Sequence, residues 1–146
     1  MNHWMFYLNS GNWTLITEPF KKSTQMLTID ENYKDKINIG DIGIVKITEQ
    51  QKGDISKYTI FNKEIMEGIY CIVEIISNAK QEYDDGKGTM RSKVEVKINK
   101  NWINDPLDID KIKKYDELYH RIRGYGACCK KIAQEDYLQI LGVKIA

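Results

Sequence analysis

Apolar positions concentrate in two runs, Ile42-Gly43-Ile44-Val45-Lys46-Ile47-Thr48 and Gly68-Ile69-Tyr70-Cys71-Ile72-Val73-Glu74-Ile75-Ile76-Ser77. Both are rich in β-branched residues, which fit a pleated, packed surface, and they predict two buried strands. Gly40-Asp41 supplies turn chemistry ahead of the first run. The interval 49–67 is polar and charged and reads as a long loop over the mouth of the sheet. Residues 91–98 alternate, with Val94, Val96 and Ile98 on one face and Lys93, Glu95 and Lys97 on the other. That pattern predicts a half-exposed strand whose apolar face joins Ile44, Val45, Ile72 and Val73 in the core.

Shorter signals fill in the rest. Trp4-Met5-Phe6-Tyr7-Leu8 reads as a strand closed by the turn cluster Asn9-Ser10-Gly11-Asn12. Pro19 argues against regular structure in 17–25, and the charged stretch 78–88 reads as a flexible loop. Thr28 followed by Glu31 has capping-box spacing and predicts a short helix over 28–36. Residues 102–107 read as an extended crossing. Ile109 and Ile112 lie at helical spacing, and 115–123 reads as a second helical piece broken by Gly124-Tyr125-Gly126. Residues 127–132 return as a strand, and a helix over 133–141 ends at Gly142. Strands mixed with short helices give an α+β class: a mixed, mainly antiparallel curved sheet or small barrel flanked by helices.

Composition narrows this picture. At 146 residues, without internal repeat or linker, the chain reads as one domain spanning 1–146. No apolar run approaches bilayer-spanning length, and Met1-Asn2-His3-Trp4-Met5 lacks the basic start of a secretory signal. A net charge of +1 neither demands nor excludes a nucleic-acid partner. The cysteines are Cys71, Cys128 and Cys129, an odd number without metal-ligand spacing. They read as three free thiols of a protein in the reducing cytoplasm, with no zinc site.

No nucleophile elbow, phosphate loop or zinc-protease motif is present. His3 and His120 read as packing or surface histidines, and Asp84-Asp85 and Asp108/Asp110 as loop and helix-start carboxylates. The chain therefore reads as a non-enzyme without cofactor. Trp4, Trp13 and Trp102 lie beside turn residues. Core packing is the commoner role for each, and a stacking face for a flat ligand is the sharper one. Lys46 is the odd residue of an apolar strand, so its ammonium must reach water, a partner or a pocket. Arg121 and Arg123, just before the glycine break, are placed either to reach phosphates or to form a solvated face.

The order of these pieces resembles the EVE domain, a relative of the YTH domain in the PUA-like superfamily. The matching features are the aromatic strand and tryptophan of 4–13, Tyr33-Lys34-Asp35-Lys36-Ile37-Asn38-Ile39-Gly40-Asp41, the Gly-Ile…Glu-Ile strand of 68–77, and Lys131-Ile132-Ala133-Gln134-Glu135-Asp136-Tyr137-Leu138-Gln139-Ile140. The resemblance covers nearly the whole chain. It implies a pseudo-barrel with flanking helices and a pocket for one flipped-out base, often a modified one, held between aromatic side chains. It implies DNA or RNA as partner, single-stranded or modified. Relatives often carry a tryptophan where this chain has Met26-Leu27-Thr28, and an aromatic where it has Lys46.

The expected pocket has Asn9, Ser10 and Trp13 on one side and Lys46 and Thr48 on the other, with Arg121, Arg123 and Tyr125 at the rim. Trp13 would stack on the base, Asn9, Ser10 and Thr48 would bond its edge, and the arginines would hold flanking phosphate. Lys46, replacing an aromatic wall, would favour an electron-rich or anionic ligand over a methylated neutral base. Two readings follow: a nucleic-acid-binding module, or an interaction or structural domain whose base pocket has been lost.

Overall fold

A computed structural model describes residues 1–8, 24–48, 59–60, 63–64, 67–84, 88–124 and 127–146, and every structural statement below concerns these. Ten strands occur among them: β1 (His3–Leu8), β2 (Thr24–Thr28), β3 (Ile42–Ile47), β4 (Thr59–Ile60), β5 (Lys63–Glu64), β6 (Gly68–Ile75), β7 (Lys80–Asp84), β8 (Thr89–Asn101), β9 (Leu107–Asp108) and β10 (Cys129–Ile132). Three short α-helices accompany them: α1 (Ile109–Lys113), α2 (Asp116–Ile122) and α3 (Gln134–Ile145). The main sheet has the order β10-β1-β3-β6-β8-β2, with β7 beside β8 and β9 beside β6. The β1–β3 pair is parallel, and every other pairing is antiparallel.

Alternation along the strands splits the interior into two layers. Trp4, Phe6, Val45, Ile47, Val73, Ile75, Val94 and Val96 fill the inside of the curled sheet, together with Leu27, Ile29 and Cys129 from its two ends. Met5, Tyr7, Ile44, Ile69 and Ile72 face the other way, against Leu107, Ile112, Leu118, Ile122 and Ile140. Strands β1, β3 and β6 are thus buried on both faces, which explains their nearly unbroken apolar runs. Strand β8 is covered on one face only, hence its alternation. The α+β class and the curved, mainly antiparallel sheet expected from the sequence are present, as a curled half-barrel with short flanking helices.

The details correct several expectations. Val94 and Val96 are fully buried, but Ile98 only partly, and Lys93 and Glu95 are half-buried rather than exposed. Ile98, paired with Val73, is the last β8 residue before a register shift in the β6–β8 pairing. Ile44 and Ile72 belong to the helix-facing layer, not to the same cluster as Val45 and Val73.

No α-helix forms over 28–36. Thr28 ends β2, paired with Lys93, and only Glu31–Tyr33 make a 3₁₀ turn. The Glu31 carboxylate, which a capping box would need, instead accepts from Ser92 N (3.1 Å) and Ser92 Oγ (2.8 Å) on β8. Those bonds, Ser92's first, hold its carboxyl below the usual range. Strand β7 and the start of β2 stand where irregular chain was expected, because ladder bonds to long β8 hold them. Part of the 49–67 interval pairs as the hairpin β4–β5. Helix α3 runs through Gly142 to Ile145, since that glycine faces open space and costs only propensity.

Candidate functional site

Parallel pairing of β1 with β3 places Tyr7 beside Lys46 and Leu8 beside Ile47, so both strands end at one edge of the sheet. Thr48 N and Thr48 Oγ1 both donate to Leu8 O, at 2.7 and 3.2 Å, and bind the two ends together. Strand β6 starts at the same edge, with Gly68 opposite Ile47, and β9 joins it through the Gly68–Asp108 pair. A Cβ on Gly68 would lie 2.4 Å from Leu107 O, so only glycine lets β9 approach this closely. Gly124, after α2, packs its Cα against the Tyr7 ring in the same way, a Cβ there meeting ring carbons at 2.4 Å.

Between Val45 and Lys46 the β3–β6 register shifts: Val45 faces Cys71 and Lys46 faces Ile69, leaving Tyr70 as the extra residue. Lys46 alternates away from inward-facing Val45 and lies beside helix-facing Tyr7. Its side chain is 5% exposed, and its Nζ lies 3.9 Å from Glu67 Oε2 and 5.8 Å from the Tyr7 ring centre. Burial pulls the Lys46 ammonium below the ordinary lysine range; Glu67 opposes this, while Arg123 and Lys113 add to it. Lys46 therefore does not snorkel to solvent, and its ammonium lies within the electrostatic reach of Arg123 and Lys113.

Two of those cations meet on one ring. Lys113 Nζ and Arg123 Cζ each lie 5.7 Å from the Tyr119 ring centre. Lys113 also lies 3.8 Å from Asp110 Oδ1. Tyr7 donates its hydroxyl to Ile122 O at 2.5 Å, and burial raises its pKa so that the phenol stays neutral. This bond caps one of the carbonyls left open at the end of α2.

Of the residues read as a pocket, Lys46 feels the charge of Arg123, and Thr48 stands two residues on from Lys46, bound to Leu8 O. Arg121 turns elsewhere: its Nε bonds buried Asp136 Oδ1 at 2.9 Å and its Nη1 lies 3.8 Å from Glu117, tying α2 to α3. Asn9, Ser10, Trp13 and Tyr125 lie outside the described residues. Sequence reasoning missed Tyr7, Glu67, Lys113 and Tyr119. Tyr7 had a usable signal, since alternation in β1 puts it on the face opposite Phe6. Glu67 had a weaker one, as the last charge before the 68–77 run. Lys113 and Tyr119 carried none, because different helices bring them together.

The other candidate groups are structural. Trp4 is fully buried, with Nε1 donating to Asp41 Oδ2 at 3.0 Å. Trp102 lies 5.4 Å under Lys144 Nζ, which also binds Asp105 at 3.1 Å. His3 is buried with its ring 4.7 Å from that of Tyr137, and exposed His120 sits 3.3 Å from Asp116. The three cysteines are free thiols, and burial pushes Cys71 and Cys129 up to about 12. Among the described residues no cluster of His, Cys, Asp and Glu is arranged to hold a metal, and no helix is long and apolar enough to cross a membrane.

No family model and no curated protein matches the sequence. Solved structures do match in fold. A Pseudomonas syringae protein superposes with a TM-score of 0.69 at 13% identity, over 97% of this chain and 99% of that one. The DUF55 domain of human thymocyte nuclear protein 1 gives 0.63 at 12% identity, over 97% and 98%. A YTH domain of Zygosaccharomyces rouxii, in complex with N6-methyladenosine RNA, gives 0.54 at 10% identity, over 97% and 86%. The fold is thus the one seen in these DUF55 and YTH domains.

Proposed function

We propose that the chain is an EVE-type nucleic-acid-binding module, a single unit over 1–146 that accepts a flipped base at the edge where β1 and β3 end. It binds rather than catalyses, and works in the cytoplasm, as three free thiols suit. The observation that carries the reading is the buried Lys46 ammonium on the helix-facing side of β3, with Arg123 and Lys113 bearing on it. A domain that needed only a core at this point would place an apolar side chain there, since burying a lysine costs stability. The fold shared with a YTH domain in complex with N6-methyladenosine RNA supports a single-stranded partner, modified or unmodified. Asn9, Ser10 and Trp13 follow directly on Leu8 and belong to this proposed site as base-edge and stacking groups, with Thr48 and Tyr125 beside them.

The test is a titration of labelled single-stranded RNA and DNA, with and without base modification, at several salt concentrations. Affinity should fall with salt at a log–log slope of about −0.7 per phosphate neutralised. Trp13→Ala should weaken binding by about 1–3 kcal/mol, the worth of one stacked base. Parent-like binding by Trp13→Ala and Lys46→Ala proteins that are folded, or no binding by the parent, would hand the fold to an interaction role instead.

A further inference from the structure

Positive charge at this edge is graded from solvent to interior. Lys113 is 49% exposed, Arg123 is half-buried, and the Lys46 side chain is 5% exposed. Among the described residues, Asp110 pairs with Lys113 and Glu67 with Lys46. Asp110, 77% exposed beside Lys113, is screened by water, while Glu67 is the anion that reaches inward to Lys46. The Lys46–Glu67 contact of 3.9 Å is an ion pair outside direct hydrogen-bonding distance. A buried ammonium has three donors and is costly to leave so loosely matched. The aromatic surface between the outer two cations is Tyr119, which holds both side chains in place.

We infer that Lys46, Arg123 and Lys113 form a phosphate site, and that Glu67 is an internal competitor which the phosphate displaces from Lys46. A phosphate oxygen, in a phosphodiester as in a monophosphate, accepts directly from an ammonium and a guanidinium, which one carboxylate at 3.9 Å does not match. The inference deepens the proposed function by naming the ligand as a nucleotide bound through its phosphate at this point. The site excludes Arg121, whose guanidinium is engaged by Asp136 and Glu117.

The experiment is a titration of the folded protein with inorganic phosphate, a nucleoside and the matching nucleoside 5′-monophosphate, followed by NMR of the lysine side chains at constant ionic strength. Inorganic phosphate and the monophosphate should both move the Lys46 resonance, and the nucleoside alone should move it less than either. Lys46→Met should weaken phosphate binding about tenfold, and Glu67→Gln should tighten it severalfold. Arg121→Gln should leave it within about twofold. Tightening by Glu67→Gln is the decisive sign, because a merely structural ion pair would give loss or no change. A phosphate response indifferent to Lys46→Met and Glu67→Gln overturns the inference. If single strands still bind in that case, the nucleic-acid reading stands without it.

Discussion

The two faces of the β1–β3–β6 layer share strands but not chemistry. The inward face is filled by Trp4, Phe6, Val45, Ile47, Val73 and Ile75, and its one buried acid, Asp41, is fully used. Asp41 accepts from Trp4 Nε1, Asn2 N and Asn38 N at 3.0, 3.0 and 2.9 Å. The helix-facing side is equally apolar at its middle, around Met5, Ile44 and Ile72, but ends in Tyr7, Lys46 and Glu67. A curled sheet closes its inside on itself, so a polar group there needs a complete set of partners. The outer face is closed by separate short helices, which leave an end where charge can stand. Function in such a fold is expected at the seam between sheet and helices, not at the centre of the core.

The largest test of that contrast is Phe6→Ala. Phe6 is 1% exposed, and Gly43 packs on its ring, so the opposing glycine has no side chain to fall into the hole. Its loss should cost about 3–5 kcal/mol in denaturant unfolding. One residue along, on the outer face, Tyr7→Phe keeps the ring and removes only the bond to Ile122 O. That should cost about 1–3 kcal/mol, the range for an orphaned buried acceptor. It should also fray the end of α2, visible as faster amide exchange there. Equal costs for the two variants would erase the distinction between the faces.

The same contrast explains what the sequence made legible. Runs 42–47 and 68–75 read as buried strands because both faces of each are covered, and alternation in 91–98 read as a strand because one is. Strands β2 and β7 were illegible because ladder bonds hold them, and backbone pairing leaves little mark on side-chain type. Gly40-Asp41 read as a turn, and Gly40 does adopt φ 94°, but the carboxylate's role as acceptor for Trp4 depends on a pairing that no local pattern encodes. At the candidate site Lys46 stood out because charge inside an apolar run is rare. Lys113 and Tyr119 looked like ordinary helix-surface residues, since they are brought together by the packing of α1 and α2, while Arg123 was read as a rim residue. Arg121 and Arg123 looked equivalent in sequence, yet they diverge because Arg121 lies within α2 and Arg123 beyond its last turn.

The smallest expected effect is also the one that addresses the site directly. Burial is the main cause lowering the Lys46 pKa, so the folded value lies below the unfolded one, near 10.5. Between the two values the unfolded chain holds more protons, and stability rises with pH through that window. Below the folded value the whole penalty of burying the ammonium is present. Lys46→Met removes the charge and keeps the length and apolar body of the side chain, but leaves Glu67, 19% exposed, without its cation. The double variant Lys46→Met/Glu67→Gln removes both charges, and at neutral pH it should be more stable than the parent by about 1 kcal/mol, within the range for replacing buried ion pairs. That advantage should shrink as pH is raised toward 10.5, where the parent's lysine no longer has to be buried charged. All other ionisable groups are common to both proteins, so the difference between their unfolding curves isolates the Lys46–Glu67 pair. A parent that is the more stable protein at neutral pH would show that the Lys46–Glu67 pair holds the fold together, and would remove the argument that a buried charge is kept there for a ligand.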